Sequence, residues 1–212
     1  MNISSEAWLT VPGGYLLGSI PFGLLLGKLF GAKDVRQHGS GNIGATNVSR
    51  VVGPVAGILT LVLDTAKGAA AVWIASRVSE QNATVTMLAG LAALCGHCFS
   101  IWLRFKGGKG VATGLGIFAA LCPLAALCGV VVFALTFAFW RYVSLASLAG
   151  AASMPLLIYL LWAPAHAPPL VISFGTLAAA ALIFYKHRAN LRRLAAGDEP
   201  KFHLRQPRDK SV

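Results

Sequence analysis

Three short polar clusters interrupt an otherwise greasy chain, and each carries residues suited to holding an anion. The longest is Gly39-Ser40-Gly41-Asn42-Ile43-Gly44-Ala45-Thr46-Asn47-Val48-Ser49-Arg50. Its glycines let the backbone approach a ligand closely, Ser40, Asn42, Thr46 and Asn47 offer hydrogen bonds, and Arg50 adds a forked cation. The second is Lys106-Gly107-Gly108-Lys109-Gly110, directly before an apolar stretch that starts at Val111. Unhindered N–H groups beside a lysine at a helix N-terminus form an anion-binding nest. The third is Lys186-His187-Arg188-Ala189-Asn190, at the end of the last apolar stretch. A lone basic loop residue is ordinarily explained by membrane topology or contact with anionic lipid. That explanation does not account for glycines interleaved with lysines in so short a connection.

Other patterns are weaker on physical grounds. Gly39-Ser40-Gly41-Asn42-Ile43-Gly44 matches GxGxxG, but no buried strand precedes it and no βαβ unit surrounds it, as dinucleotide binding requires. Gly107-Gly108-Lys109-Gly110 lacks the spacer and the Ser or Thr of a Walker loop. Cys95-Gly96-His97-Cys98 has thiol-exchange spacing, yet it falls late in an apolar segment rather than at a helix N-terminus. Only Asp34 and Asp64 lie in or beside the apolar core before the tail, so no metal site and no cofactor are expected. Asp64 and Lys67, three apart in an apolar span, form either a functional interior pair or a structural clasp.

The elements that must position these clusters are membrane spans. Of 212 residues, 56% are hydrophobic and 12% charged, about half the charged share of a soluble domain. The net charge of +11 would suggest nucleic acid in a soluble protein. Here the basic residues flank apolar spans, so topology and anionic ligands are the better reading. The start, Met1-Asn2-Ile3-Ser4-Ser5-Glu6, lacks the basic region of a cleaved signal peptide. Apolar stretches cover residues 6–31, 51–74, 83–103, 111–140, 143–162 and 170–185. The first has glycines four apart and a proline expected to kink it. Residues 111–140 decide the count. Split near Pro123 they make seven spans, and then Lys33, Arg36, Arg50, Arg104, Lys106, Lys109, Arg141 and the basic tail 186–212 share one face. The positive-inside rule selects that arrangement, with the N-terminus outside and the C-terminus cytoplasmic. Its two helices of about 15 residues are short for a bilayer. A re-entrant pair or five spans would keep the same sidedness. The expected fold is therefore an all-α polytopic membrane protein, one domain over residues 1–212, with no obligate protein partner. A transporter would place polar groups mid-bilayer in several spans, whereas most here lie at one face, which favours an interfacial enzyme.

Assembled in order, these pieces resemble the acyl-phosphate:glycerol-3-phosphate acyltransferase family of bacterial inner membranes. The resemblance rests on Gly18-Ser19-Ile20-Pro21-Phe22-Gly23, residues 39–50, Leu63-Asp64-Thr65-Ala66-Lys67-Gly68, and Gly96-His97 through Lys106-Gly107-Gly108-Lys109-Gly110-Val111-Ala112-Thr113. Arg141-Tyr142-Val143-Ser144-Leu145 and His187-Arg188-Ala189-Asn190 complete it, and Ser100 stands where the family usually has proline. The resemblance implies a seven-helix enzyme that joins acyl phosphate and glycerol 3-phosphate into 1-acyl-glycerol-3-phosphate (lysophosphatidic acid) and phosphate. It implies Ser40, Arg50, Lys109, His187 and Asn190 as catalytic residues. Asn42, Thr46, Asn47, Gly107, Gly108, Gly110 and Ser144 would bind substrate. It leaves open whether His187 or a substrate phosphate oxygen accepts the proton of the attacking hydroxyl.

Overall fold

The computed structural model describes residues 4–31, 34–162 and 167–202; the expectations for Lys33 and for the tail beyond residue 202 lie outside them. Helix α1 (Ser5–Ser19) starts at Ser4, whose hydroxyl accepts from the Ala7 N–H. It ends where Pro21 disfavours helical backbone at the residue before it and cannot itself donate an N–H. Helix α2 (Phe22–Leu29) then resumes the span, so the expected kink is a full break at Ile20. The carbonyls freed there find other partners: Ser19 accepts from the Ser100 hydroxyl at 2.6 Å and Ile20 from the Lys67 ammonium at 2.8 Å. Ser100 thus makes a bond that the proline usual at its position could not.

A polar loop leads to α3 (Ala45–Val51), and α4 (Pro54–Val78) follows with proline in its first turn, where the missing N–H costs nothing. The stretch expected to begin its span at Val51 is therefore divided at Gly53, and its true start is Pro54. Helix α5 (Ala83–Cys98) is capped by the Asn82 side chain, which accepts from the Thr84 and Val85 N–H groups. A Cβ on Gly18 would overlap the Ala93 carbonyl, and one on Gly96 the Tyr15 carbonyl, so α1 and α5 touch backbone to backbone. The Cys95-Gly96-His97-Cys98 turn is thus a packing surface, with both thiols free.

Helix α6 (Val111–Leu121) stops at Cys122, and α7 (Pro123–Trp140) begins again at the proline, the division expected in residues 111–140. Gly68 of α4 and Gly116 of α6 each abut the other helix's backbone, which pins α6 against α4. Helices α8 (Val143–Leu161), α9 (Leu170–Lys186) and α10 (Arg188–Ala196) complete the chain, with α10 bent 59° from α9. Residues 188–196 of the basic tail form α10. Among the described residues all regular structure is helical. Five segments are long and apolar enough to cross a membrane, six if α9 and α10 count as one, while α6 has 11 residues. The main core runs through Val72, Met87, Leu94, Ile117, Phe118, Ile158 and Ile172. A second core of Leu24, Val35, Ile43, Val48 and Leu103 lies under the polar loop and anchors it.

Candidate active site

The three polar clusters converge on an inner cavity of about 190 Å³. Its wall holds Ser40, Asn42, Thr46, Asn47, Arg50, Lys109, Gly110, Ser144, His187 and Asn190, ten of the twelve residues singled out in the sequence. Asn47 is buried, and its amide is fully engaged. It accepts from the Ser40 N–H at 2.7 Å and donates to the carbonyls of Val35 and Asn42 at 2.9 and 2.8 Å. Substrate binding was the expectation for Asn47; in this structure the side chain holds the loop closed, with both amide hydrogens directed at carbonyls. Asn42 uses its oxygen for the Gly44 N–H at 3.0 Å, which directs its amide nitrogen to the cavity as a spare donor. Helix α3 carries Arg50 to the cavity edge, over the ring of Phe202 at 5.8 Å, with no ion pair among the described residues.

The second cluster divides its work. The N–H groups of Gly107 and Gly108 donate to the carbonyls of Cys98 and His97 at 3.2 and 2.9 Å. They close the end of α5, where both had been expected to lie against phosphate. Neither has room for a side chain, because a Cβ would strike the His97 carbonyl or imidazole. Gly110 does reach the cavity. Its φ of +87° turns the chain into α6 and aims the first-turn N–H groups at the space beside Lys109. Lys109 itself is largely buried and donates to the Asn190 side-chain oxygen at 2.5 Å. Burial pushes its pKa down to about 8, against the pull of the Glu199 carboxylate.

From the third cluster, the His187 ring packs at the α9–α10 bend with Nδ1 2.8 Å from the Ile183 carbonyl. A carbonyl only accepts, so Nδ1 carries the proton and Nε2 is left as an acceptor. Burial lowers the pKa of this imidazole to about 4, which keeps it neutral at physiological pH.

The glycerol-3-phosphate acyltransferase family model matches residues 8–197. The chain belongs to the glycerol-3-phosphate acyltransferase family. A relative of that name from Trichlorobacter lovleyi is 54% identical over 91% of this chain and 95% of its own length, and one from Anaeromyxobacter sp. strain K is 50% identical over 91% and 96%. Crystal structures of PlsY (YgiH), an integral membrane glycerol 3-phosphate acyltransferase, superpose with TM-scores of 0.87 and 0.86 at 41% and 40% identity. Each covers 94% of this chain, with 96% and 97% of the PlsY chain matched; one is the glycerol 3-phosphate form and the other the lysophosphatidic acid form. With these apolar helices, this acyltransferase is a multi-span integral membrane protein.

One group of cavity residues in this acyltransferase, Glu199 with Arg193, was not singled out in the sequence. Glu199, nearly buried, accepts from the Asn190 amide at 2.6 Å and from Arg193 at 2.7 Å. Burial raises its pKa, but the nearby Ser144 hydroxyl and the hydrogen bonds from Asn190 and Arg193 outweigh that and hold the carboxyl below its usual value. The result is a chain, Lys109–Asn190–Glu199–Arg193, that fixes the cationic wall. The acidic pair Asp198-Glu199, directly after Gly197 in a basic tail, was the available signal. On the opposite side Asp64 and His97 form the cavity floor. Asp64 pairs with Lys67 at 2.8 Å and faces His97 Nδ1 at 3.6 Å, so the clasp reading of this pair fits the geometry.

A second, apolar cleft of about 250 Å³ opens from the same place. It shares Leu61, Val111, Ala112, Phe133 and Ser147 with the inner cavity and continues past Phe118, Gly129, Gly150 and Met154.

Proposed function

We propose that this enzyme transfers an acyl group from acyl phosphate to glycerol 3-phosphate, yielding lysophosphatidic acid and phosphate. One observation carries the reading. A cationic, hydrogen-bonding cavity and an apolar cleft meet at Val111 and Ala112, beside Lys109 and the N-terminus of α6. That shape suits a molecule whose anionic head joins directly to a hydrocarbon chain, as in an acyl phosphate. The cleft takes the chain, and Lys109 with the α6 N–H groups takes the phosphoryl head. Arg50, the Asn42 amide and the hydroxyls of Ser40, Thr46 and Ser144 then face the second phosphate, that of the acceptor.

In the reaction the acceptor hydroxyl adds to the acyl carbonyl carbon. The bond from that carbon to the phosphate oxygen breaks, and its electron pair leaves with phosphate. Acyl phosphate is a mixed anhydride with a good leaving group, so positioning and charge stabilisation suffice. Among the described residues no imidazole or carboxylate hydrogen-bonds the Ser40 hydroxyl, so direct transfer is favoured over an acyl-Ser40 intermediate. His187 at about 4 is a weak base, whereas a phosphate ester titrates near pH 6, so the hydroxyl proton goes to phosphate. His187 Nε2 orients the acceptor by accepting a hydrogen bond from the other, non-attacking hydroxyl of glycerol 3-phosphate.

The arrangement in the membrane follows from the same reading. With α1 and α2 as one broken span, α4, α5, α6, α7, α8 and α9 complete seven, α6 being the short member. Arg50, Lys109, Arg141 and α10 then lie together at the cytoplasmic face of a bacterial inner membrane, with the N-terminus outside.

Purified enzyme supplied with acyl phosphate and glycerol 3-phosphate, in metal-free buffer, should release phosphate and form the lyso-phospholipid. Turnover of acyl-CoA in place of acyl phosphate would contradict the donor. The pH profile tests Lys109. Its cation is present below about pH 8 and is lost as pH rises through that value. For the free enzyme, kcat/KM for acyl phosphate should therefore fall about tenfold per pH unit on the alkaline side. In Lys109→Arg that descending limb should disappear below pH 10, since a guanidinium stays charged. An identical limb in both proteins would assign it to another group.

A further inference from the structure

Each of the three polar clusters has a second face, and these faces also meet. Behind the inner cavity lies an open outer cavity of about 650 Å³. The two are built from neighbouring residues of the same loops. Ser40 and Asn42 face the inner cavity and Gly41 the outer one; Lys109 and Gly110 face inward and Lys106 and Gly107 outward. His187 and Asn190 likewise face inward, while Lys186 and Arg188 face outward. Nothing in the acyl transfer described above uses the outer set.

Its walls are strongly cationic, with Arg36, Lys106, Lys186 and Arg188 against the single carboxylate of Asp34. That carboxylate is already engaged by Arg36 at 2.7 Å, so it does not neutralise the other three. Lys186 is held in place, donating to the Cys98 carbonyl at 2.8 Å and lying 4.6 Å above the Phe99 ring. Arg188 is held over the Tyr185 ring at 4.6 Å. Lys106 has no ion-pair partner among the described residues. Two of these cations are thus fixed by aromatic rings, and the third is unspent.

The rim points to where a ligand arrives from. Phe105 and Tyr185 border the cavity, and Trp102 stands three residues before Phe105; all three are more than half exposed. Arg104 and Phe105 both hold left-handed backbone, φ 51° and 63°, which presents the phenyl ring outward at a cost that only glycine avoids. Exposed aromatic rings at the end of spans belong at the headgroup level of a bilayer. The cavity is also far larger than one phosphate ion.

We propose that the outer cavity is a second anion site that takes the phosphate-monoester headgroup of a lipid entering from the bilayer. Lys106, Lys186 and Arg188 bind the headgroup, and Phe105 and Tyr185 lie along its glycerol and upper chains. Because Gly41 and Lys186 adjoin Ser40 and His187 in the chain, and Gly107 lies two residues before Lys109, occupancy bears directly on the loops that build the inner cavity. The site stands whichever acyl donor the inner cavity uses.

Native mass spectrometry of the detergent-purified full chain tests this with phosphatidate as the probe. The experiment is run with saturating glycerol 3-phosphate to fill the inner cavity. A one-to-one phosphatidate adduct should persist there, phosphatidylcholine should give none, and millimolar inorganic phosphate should not displace it. Removing two cations in Lys106→Ala/Arg188→Ala should weaken the adduct roughly thirtyfold, at about 1 kcal/mol for each charge near a lipid surface. The single variant Lys106→Ala, in an exposed loop, should show an intermediate loss. Both variants should keep the basal rate of glycerol 3-phosphate acylation in phosphatidylcholine discs, which separates loss of this site from loss of fold or of the acyltransferase reading. Displacement by glycerol 3-phosphate would place the lipid in the inner cavity and overturn the proposal. Displacement by inorganic phosphate would make the ligand a free anion and overturn the lipid assignment, as would equal affinity in wild type and double variant.

Discussion

Lys109→Ala is expected to lose about 10²- to 10³-fold in kcat, the usual cost of removing one preorganised group that stabilises developing charge. Lys109 stands beside the junction of the polar cavity and the apolar cleft, where the proposed donor, an acyl phosphate, would place its head. As the carbon–oxygen bond breaks, negative charge accumulates on that phosphate, and the ammonium and the α6 N–H groups are the donors placed to meet it. The variant should fold normally. A largely buried cation held only through Asn190 and the more distant Glu199 costs desolvation energy, so its removal relieves as much as it forfeits. The check is single-turnover phosphate release together with the apparent melting temperature of the same sample. A folded Lys109→Ala enzyme with near-normal turnover would take this residue out of the reaction.

Lys67→Met should be the most destabilising single change in the bundle. It leaves the buried Asp64 carboxylate without its 2.8 Å partner and leaves the Ile20 carbonyl, freed by the break before Pro21, with only the Phe22 N–H as donor. Breaking a buried pair from one side costs about 3–5 kcal/mol. The loss should reach the active site too, because Asp64 backs His97, whose carbonyl receives the Gly108 N–H just before Lys109. Replacing both partners, Asp64→Asn with Lys67→Met, removes the stranded charge and should recover most of the stability. Thermal unfolding in detergent at one pH measures the series. A Lys67→Met protein that melts with the wild type, or a double variant worse than the single, would show that the pair is not a clasp.

Much of this was legible in the residues. The glycine-rich loop, the Lys-Gly-Gly-Lys-Gly turn and the His-Arg-Ala-Asn end announced themselves because polar residues between greasy spans need a reason to be there. The breaks at Pro21 and Pro123 were legible because proline acts locally, through its own fixed φ and absent N–H. Family membership was legible as well, since the motifs are long and in order, and the family match spans residues 8–197.

What the sequence could not decide was which polar group faces which neighbour. Asn42 and Asn47 share a side-chain type and lie five residues apart, yet one keeps an amide free and the other spends all of its own on loop carbonyls. Gly107, Gly108 and Gly110 look equivalent in a string; only the fold turns the first two onto the end of α5 and the third into the cavity. Glu199 reads as half of an acidic pair in a basic tail until α10 folds back and sets it between Asn190 and Arg193. The physical reason is the same in each case. Composition and local backbone preference act over a few residues and can be read along the chain. A hydrogen bond's partner is set by where distant helices pack, and those separations, such as the 81 residues between Lys109 and Asn190, are closed only by the tertiary structure.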